Sequence, residues 1–571
     1  MKKIYKLAIK NFKAFQDEEI FAFKGKNVLV YGSNGSGKSS LFWALYTFLQ
    51  SSIKHSDEEI EKYFDSNNSQ SLLNIFLDEN TSAKIKMTYI DEETQETHTN
   101  IISKETINTR KNQTIQELNL ASDFINYKLL HNFYNASHKD EVNLWSVFER
   151  DIFPFLTDDI LVVPWLEKII NITNEVPMTP TGYLATGKRK NIFKDRLEKL
   201  NTEIENLLSE VEKNANILLK KHFFEGKDVL KISLSFKKKF TYDNVKTKLW
   251  EDGYDAVRHS KLQIKLMVEI YNEEIKEWKE IHRVQSFLNE AQLTRIAIAI
   301  RIGALRARVQ GTDFKILVLD DMLNSLDMSN RVDVMRIILN KENNPDLAYF
   351  DTYQKIILTH DKGFFNLLKR HTNDEQWVYY KFTKDETKNE APKVKKDLTH
   401  MQKAQKYFDE DEFDACGNEL RKEAENIFTN FLDPEMKNVK DEFEALSKKI
   451  EKVYHNLLHA KHQKFKKIFS NNHLDIEKIR KIDTDVDNDD SLSDQEKTAI
   501  KALRQNLHEF LYELTQNRDT KEKHIEHTKE ILNRVLNSAS HHSDNPLHRQ
   551  ELKNAINHMI VLKELLENET N

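Results

Sequence analysis

Gly32-Ser33-Asn34-Gly35-Ser36-Gly37-Lys38-Ser39 is a complete G-x-x-x-x-G-K-[ST] phosphate-binding loop. An apolar run, Asn27-Val28-Leu29-Val30-Tyr31, leads into it, and Leu41, Phe42, Ala44 and Leu45 follow at helical spacing. Strand, glycine-rich turn and helix are the setting in which this motif has chemical meaning. The chain holds only 12 glycines, yet Gly32, Gly35 and Gly37 fall within six positions. Without a Cβ the backbone can turn its N–H groups inward onto a polyphosphate, which the positive end of the following helix also attracts. The spacing predicts phosphate contacts from Gly32, Ser33, Asn34, Gly35, Ser36, Gly37, Lys38, Ser39 and Ser40. Lys38 is expected to reach the β- and γ-phosphates, and the Ser39 hydroxyl to ligate Mg²⁺.

Some 280 residues later, Phe314-Lys315-Ile316-Leu317-Val318-Leu319-Asp320-Asp321 reads as an apolar strand ending in two carboxylates. This is the Walker B pattern, in which Asp320 holds Mg²⁺ and Asp321 polarises the attacking water. A second apolar strand, Ile356-Ile357-Leu358-Thr359, ends in His360-Asp361. Ligands of open α/β sheets sit at the carboxyl ends of strands, so Lys38, Asp320, Asp321 and His360 are expected to converge on one nucleotide.

This order of motifs resembles the ABC-type ATPases and, within them, the SMC/RecF-like branch. The resemblance spans roughly residues 1–395. It implies an α/β P-loop ATPase head that uses ATP and Mg²⁺, with Asp327 in the D-loop that follows the Walker B strand and His360 as the switch histidine at the γ-phosphate. It also implies that Phe287–Leu293, with Asn289, Glu290, Ala291 and Gln292 at its centre, is the signature segment. That segment would cap ATP bound to a second copy, giving an ATP-sandwiched homodimer or a higher oligomer. The usual Ser-Gly-Gly is Asn289-Glu290-Ala291 here, and Asp321 stands where most relatives carry glutamate.

At 571 residues the chain has room for several domains. With 31% charged and 39% hydrophobic residues it reads as a helix-rich globular protein. No apolar stretch approaches the ~18 residues of a membrane span, and Met1-Lys2-Lys3-Ile4-Tyr5 alternates like a strand rather than a leader. A single cysteine, Cys416, excludes an intrachain disulfide framework and suits the cytoplasm. The net charge of −6 leaves room for a local basic groove that steers nucleic acid.

Along the chain, Ala83–Ile90 alternates with period two and predicts a half-buried strand. Ala121–Leu130 is read as a lid helix. Residues 190–222 carry apolar positions at three- and four-residue steps (Leu197, Leu200, Ile204, Leu207, Leu208, Val211), which predicts an antiparallel arm or short coiled coil. Leu230–Phe236 and Leu262–Val268 alternate as strands, read as the return into the ATPase sheet. From about residue 400 the pattern is helical, with an acidic loop at 483–490. The organisation expected is an N-terminal lobe (1–188), a short helical arm (189–225), a C-terminal lobe (226–398) and an all-α domain (399–571).

Eleven of the 21 histidines fall in residues 401–571. His455, His459 and His462 share a helix face, a spacing that suits either a solvated face or a metal. Arg421 and Glu425 lie one turn apart, and Arg534 precedes His541 by six intervening residues. The latter resembles the R-x(4–6)-H motif of HEPN-type ribonucleases, and bacterial anticodon nucleases join an SMC-like ATPase to such a domain. A metal-free ribonuclease needs a base for the 2′-OH and a cation for the phosphorane, which His and Arg supply. Two readings stand side by side: a catalytic set of Arg421, Glu425, Arg534 and His541, or a helical docking module. The functions expected are therefore an ATPase that dimerises on ATP, senses or clamps DNA or RNA, and holds a separate nuclease or toxin subunit in check, as in anti-phage systems; an ATPase-gated ribonuclease; or a DNA-repair ATPase.

Overall fold

The structure, a computed structural model, describes residues 1–54, 56–77, 81–126, 132–134, 142–154, 156, 164–177, 179, 187–242, 262–307, 313–321, 328–341, 343–433, 445–470, 492–517, 521, 523–536 and 547–567. They fall into two compact units, Met1–Asp397 and Leu398–Asn571. No helix of the described residues is long and apolar enough to cross a membrane.

The first unit opens with β1 (Lys2–Lys10), β2 (Glu19–Ala22), β3 (Asn27–Gly32), α1 (Lys38–Gln50), β4 (Lys84–Asp91), β5 (Thr97–Ser103), α2 (Gln113–Ala121) and β6 (Asp123–Asn126). It continues with α3 (Trp165–Asn174), α4 (Lys188–Leu218), β7 (Leu230–Lys238), β8 (Gln263–Asn272), β9 (Glu277–Glu280), α5 (Glu290–Arg306) and β10 (Ile316–Asp320). It closes with α6 (Met328–Ile338), β11 (Gln354–Thr359), α7 (Lys362–Arg370), β12 (Trp377–Asp385) and β13 (Ala391–Lys396).

Six strands form the central sheet in the order β13-β12-β3-β11-β10-β6. All neighbours run parallel except the edge strand β13, which returns antiparallel along β12. β10 and β11 are buried at every residue, which is why both read as unbroken apolar runs. A separate antiparallel sheet, β2-β1-β4-β5, alternates buried and half-buried residues. Its inner face (Leu7, Ile9, Phe21, Ile85, Met87), α1 (Leu41, Phe42, Leu45) and one face of the central sheet (Val28, Val30, Val318, Ile356) share one apolar core.

Three expectations change. The lid helix read over 121–130 is a helix only up to Ala121. Residues 123–126 form β6, which pairs in parallel with β10, and 127–130 lie outside the described residues. The described strand is fixed by tertiary partners: the Asp123 carboxylate pairs with Arg301 of α5, both buried. The strands at 230–236 and 262–268 do not enter the central sheet. They pair antiparallel with each other and with β9 in a three-stranded sheet of their own, as a period-two pattern with one buried face requires. The helical stretch at 190–222 is there as α4, but its apolar stripe (Leu200, Ile204, Leu208, Val211, Ala215) packs on α5 and β7 instead of in a coiled coil of its own. The backbones of α4 and α5 meet at Gly303, where a Cβ would stand 2.8 Å from the Val211 carbonyl oxygen and 2.9 Å from the Ala215 nitrogen.

The second unit is helical: α8 (His400–Asp409), α9 (Phe413–Leu432), α10 (Leu446–Ser470), α11 (Asp494–Asn517), α12 (Lys523–Ile531) and α13 (Arg549–Glu567). Leu420, Phe428, Ile450, Val453, Ile525, Leu552 and Met559 centre one core. Cys416 is buried in it, which pushes its thiol up to about 11. His558 is buried too, its Nε2 sharing a 2.9 Å hydrogen bond with the Thr528 hydroxyl while His524 and His527 face its ring. Burial, and then the two histidines, hold it down at about 4. The unfolded value of 6.5 lies above that, so the unfolded chain takes up the proton first and stability falls as pH drops through that window. Between pH 7.5 and 5.5 the loss from this one group is on the order of 1 kcal/mol. Thermal unfolding followed at both pH values should show a smaller drop in Tm for His558→Gln than for the unmodified chain; equal drops would rule the coupling out.

Candidate nucleotide site

Residues 32–39 run from the last residue of β3 through a turn at 33–37 into the start of α1. Gly35 and Gly37 have φ of +79° and +95°, the left-handed region that side chains avoid. Gly32 is needed for space, because a Cβ there would stand 2.3 Å from Ser36 Oγ and 2.9 Å from Phe382 Cβ. A Cβ on Gly37 would stand 2.4 Å from Pro392 Cγ. The loop is thus pressed between its own turn and the β12–β13 hairpin.

The Lys38 side chain is 4% exposed, and its Nζ donates to the carbonyls of Gly32 (2.6 Å) and Ser33 (3.3 Å). It lies 3.7 Å from Asp321 Oδ2. Burial lowers the Lys38 ammonium from its ordinary range, and the two aspartates oppose that shift. Ser39 Oγ donates to Asp320 Oδ2 at 3.0 Å across 281 residues of sequence. The other oxygen, Asp320 Oδ1, is buried with no hydrogen-bond partner. Burial, then the neighbouring Asp321 charge, push Asp320 up to about 6. A buried carboxylate oxygen left unpaired is costly unless a cation or donor completes it. Ser39 Oγ and Asp320 therefore fit a hard divalent cation such as Mg²⁺, which takes oxygen ligands and few protein groups.

Asp321, the first residue beyond β10, has φ +49°. Its Oδ1 accepts from the His360 backbone N–H at 2.9 Å and lies 3.1 Å from His360 Nδ1. The carboxylate is thus held between the lysine of the loop and the histidine that follows β11. Next to it, Asp361 caps α7 by accepting from the Phe364 N–H (3.0 Å) and pairs with Arg331 Nη1 at 2.6 Å. The structure so brings together Lys38, Ser39, Asp320, Asp321 and His360 at the carboxyl ends of three neighbouring strands, β3, β11 and β10.

The rest of the sequence-predicted set is placed as follows. Asn34 is exposed at the loop tip. Ser36 Oγ is buried without a partner, whereas Ser40 Oγ is occupied by the Ala14 N–H at 3.3 Å. Asn289 caps α5: its Oδ1 accepts from the Gln292 N–H (2.8 Å), and the Gln292 side chain accepts from the Asn289 N–H (3.2 Å), a reciprocal capping box. Asn289 and Glu290 are exposed and Ala291 half-buried. Asp327 lies outside the described residues. In the second unit, Arg421 Nε donates to Glu425 Oε1 at 3.5 Å, but Arg534 pairs with Glu551 at 2.8 and 3.3 Å. His541 lies outside the described residues, as does the 483–490 loop. His455 and His459 are exposed on α10. Among the described residues no group of three or more His, Cys, Asp or Glu side chains could hold a metal.

Sequence reasoning missed the β12–β13 hairpin against the loop and the tyrosine that meets the start of α5. Tyr134 Oη lies 2.5 Å from Thr294 Oγ1 and donates to the Glu290 carbonyl at 3.1 Å. Neither has a local signal, because each is a contact between distant segments.

A family model described as an AAA domain matches residues 6–292, half of the 571-residue chain. No curated protein matches it. Among solved structures the chain is similar to the SMC head domain from Thermotoga maritima, with 14% identity over 69% of this chain and 99% of that one and a TM-score of 0.31. It is also similar to the Smc head domain with an extended coiled coil, bound to the C-terminal domain of ScpA, derived from Pyrococcus furiosus (14% identity, 72% and 100% covered, TM-score 0.35). A third is the recombination mediator protein RecF with ATP (13% identity, 70% and 98% covered, TM-score 0.34).

Proposed function

The chain belongs to the AAA domain family, and from that premise we propose that it is an ATPase of SMC/RecF-like type that dimerises on ATP and acts on nucleic acid. The observation that carries this reading is the convergence of Lys38, Ser39, Asp320, Asp321 and His360, with one Asp320 oxygen buried and unpaired. Lys38 and the N–H groups of residues 33–39 hold the phosphates. Ser39 Oγ and Asp320 hold Mg²⁺, which supplies charge neutralisation at the phosphate oxygens when bound. Asp321, fixed by the His360 N–H, orients the attacking water and accepts its proton; His360 sits beside it at the γ-phosphate end.

The dimer reading is supported by the exposed start of α5. Asn289 and Glu290 face solvent, and Phe287 just before them is 75% exposed. A large apolar side chain beside a solvent-exposed helix N-terminus suits a second protomer carrying bound phosphate. Sedimentation of Asp321→Asn with Mg²⁺ and ATP should show a shift to dimer or larger, and Lys38→Ala should abolish the shift. An unchanged species in both would end the ATP-driven reading.

For nucleic acid, the support is the outward face of the antiparallel sheet, where Lys6 and Lys10 of β1 lie opposite Thr88 and Lys84 of β4, with Lys86 between them. Lysines in such a row attract phosphate backbones irrespective of sequence. The helical unit, which has its own core, is the element proposed to bind a partner, a separate nuclease or toxin subunit in an anti-phage role.

A further inference from the structure

We propose that Lys384 is a second phosphate-binding cation of the nucleotide site, held in reserve by Glu390; this rests on the nucleotide reading above. β12 runs parallel beside β3, with Phe382 in register with Gly32. Two residues on, at the ligand end of the strand, stands Lys384. Its Cε and Nζ lie 3.2 Å from where a Cβ on Gly35 would be, so its head rests on the phosphate-binding loop itself. The loop's own lysine, Lys38, which donates to the carbonyls of Gly32 and Ser33, is the first cation of the site.

Lys384 Nζ pairs with Glu390 Oε2 at 2.7 Å, the two side chains being 32% and 65% exposed. An ion pair that open is worth little, whereas a charge-assisted bond to a polyphosphate is among the stronger polar contacts. Phosphate therefore displaces the carboxylate readily. Glu390 is presented by the tight connection of the β12–β13 hairpin. Asn389 and Glu390 both take left-handed φ, +49° and +56°, a conformation uncommon for side chains and disfavoured for glutamate. The turn is anchored from the other side, where Lys388 Nζ pairs with Asp17 (2.6 Å) and its carbonyl accepts from Gln16 (3.1 Å).

A simple latch between Lys384 and Glu390 would make loss of either partner harmful in the same direction. A reserve cation makes them opposite. Titration calorimetry of the full chain with Mg²⁺ and ATP should show Lys384→Ala binding about tenfold more weakly, the loss expected for one charge-assisted contact. Glu390→Gln should bind as tightly as the unmodified chain or more tightly. Lys384→Ala within twofold of the unmodified chain, or weakening in both variants, would overturn the proposal. Lys38→Ala separates the two readings. If it abolishes binding while Lys384→Ala leaves binding intact, the reserve cation alone fails. If the unmodified chain takes up no ATP, the nucleotide reading fails and this proposal with it.

Discussion

Asp321→Asn is expected to keep ATP bound and to lower kcat by about 10²-fold or more. A positioned general base typically contributes 10²–10⁴, and its effect is felt in the transition state, so kcat should fall with little change in nucleotide affinity. The substitution is clean on three counts. Asparagine tolerates the φ of +49° at least as well as aspartate. An amide oxygen can still accept from the His360 N–H, now 2.9 Å from Oδ1. Removing the charge also leaves Lys38 its two carbonyl partners. Asp320→Ala should behave differently, losing Mg²⁺-dependent nucleotide affinity and turnover together, because it removes the oxygen that meets Ser39. Steady-state turnover and ATP titration of both variants separate the roles. Turnover at the unmodified rate in Asp321→Asn would mean that another group orients the water.

Arg301→Met is expected to cost roughly 3–5 kcal/mol in stability although Arg301 is not one of the candidate nucleotide-site residues. Arg301 is 2% exposed and Asp123 fully buried, and they pair between α5 and the start of β6. Methionine keeps the volume and helix propensity of the arginine stem, so the loss comes from stranding a buried carboxylate. Asp123 would retain only the neighbouring Phe124 N–H at 2.9 Å. The double variant Arg301→Met with Asp123→Val should recover most of the loss, since a buried pair can often be replaced by apolar groups of similar size. Urea unfolding of the three variants measures both steps. A loss below about 1 kcal/mol for the single change would mean that water reaches Asp123 and the pair is not truly buried.

Much of the candidate site was legible because its chemistry is local. The phosphate-binding loop, the strand ending in Asp320-Asp321 and the strand ending in His360 are each contiguous, and each signals through glycine placement or an apolar run capped by polar groups. The capping of α5 by Asn289 and Gln292 is also local, yet the sequence reading took those residues only as the signature segment. Where the reading failed, the deciding partner was far away. Residues 123–126 look like the continuation of a helix until β10 supplies a parallel neighbour and Arg301, 178 residues later, a counter-charge. The stripe on α4 has coiled-coil spacing, and only Gly303 on the facing helix shows what it packs against.

The sequence by itself determined the class of chemistry at this site, because a loop that turns N–H groups onto phosphate and a strand that ends in two carboxylates depend on residue types at fixed short spacings. The tertiary structure decided which strands stand beside the loop strand, and with them the surroundings of each charged group. It set Asp320 against Ser39 and left its second oxygen unpaired. It also clamped Asp321 with the His360 N–H and laid Lys384 on Gly35. Those placements follow from strand order and register, which arise from packing between segments hundreds of residues apart, and no local pattern encodes them.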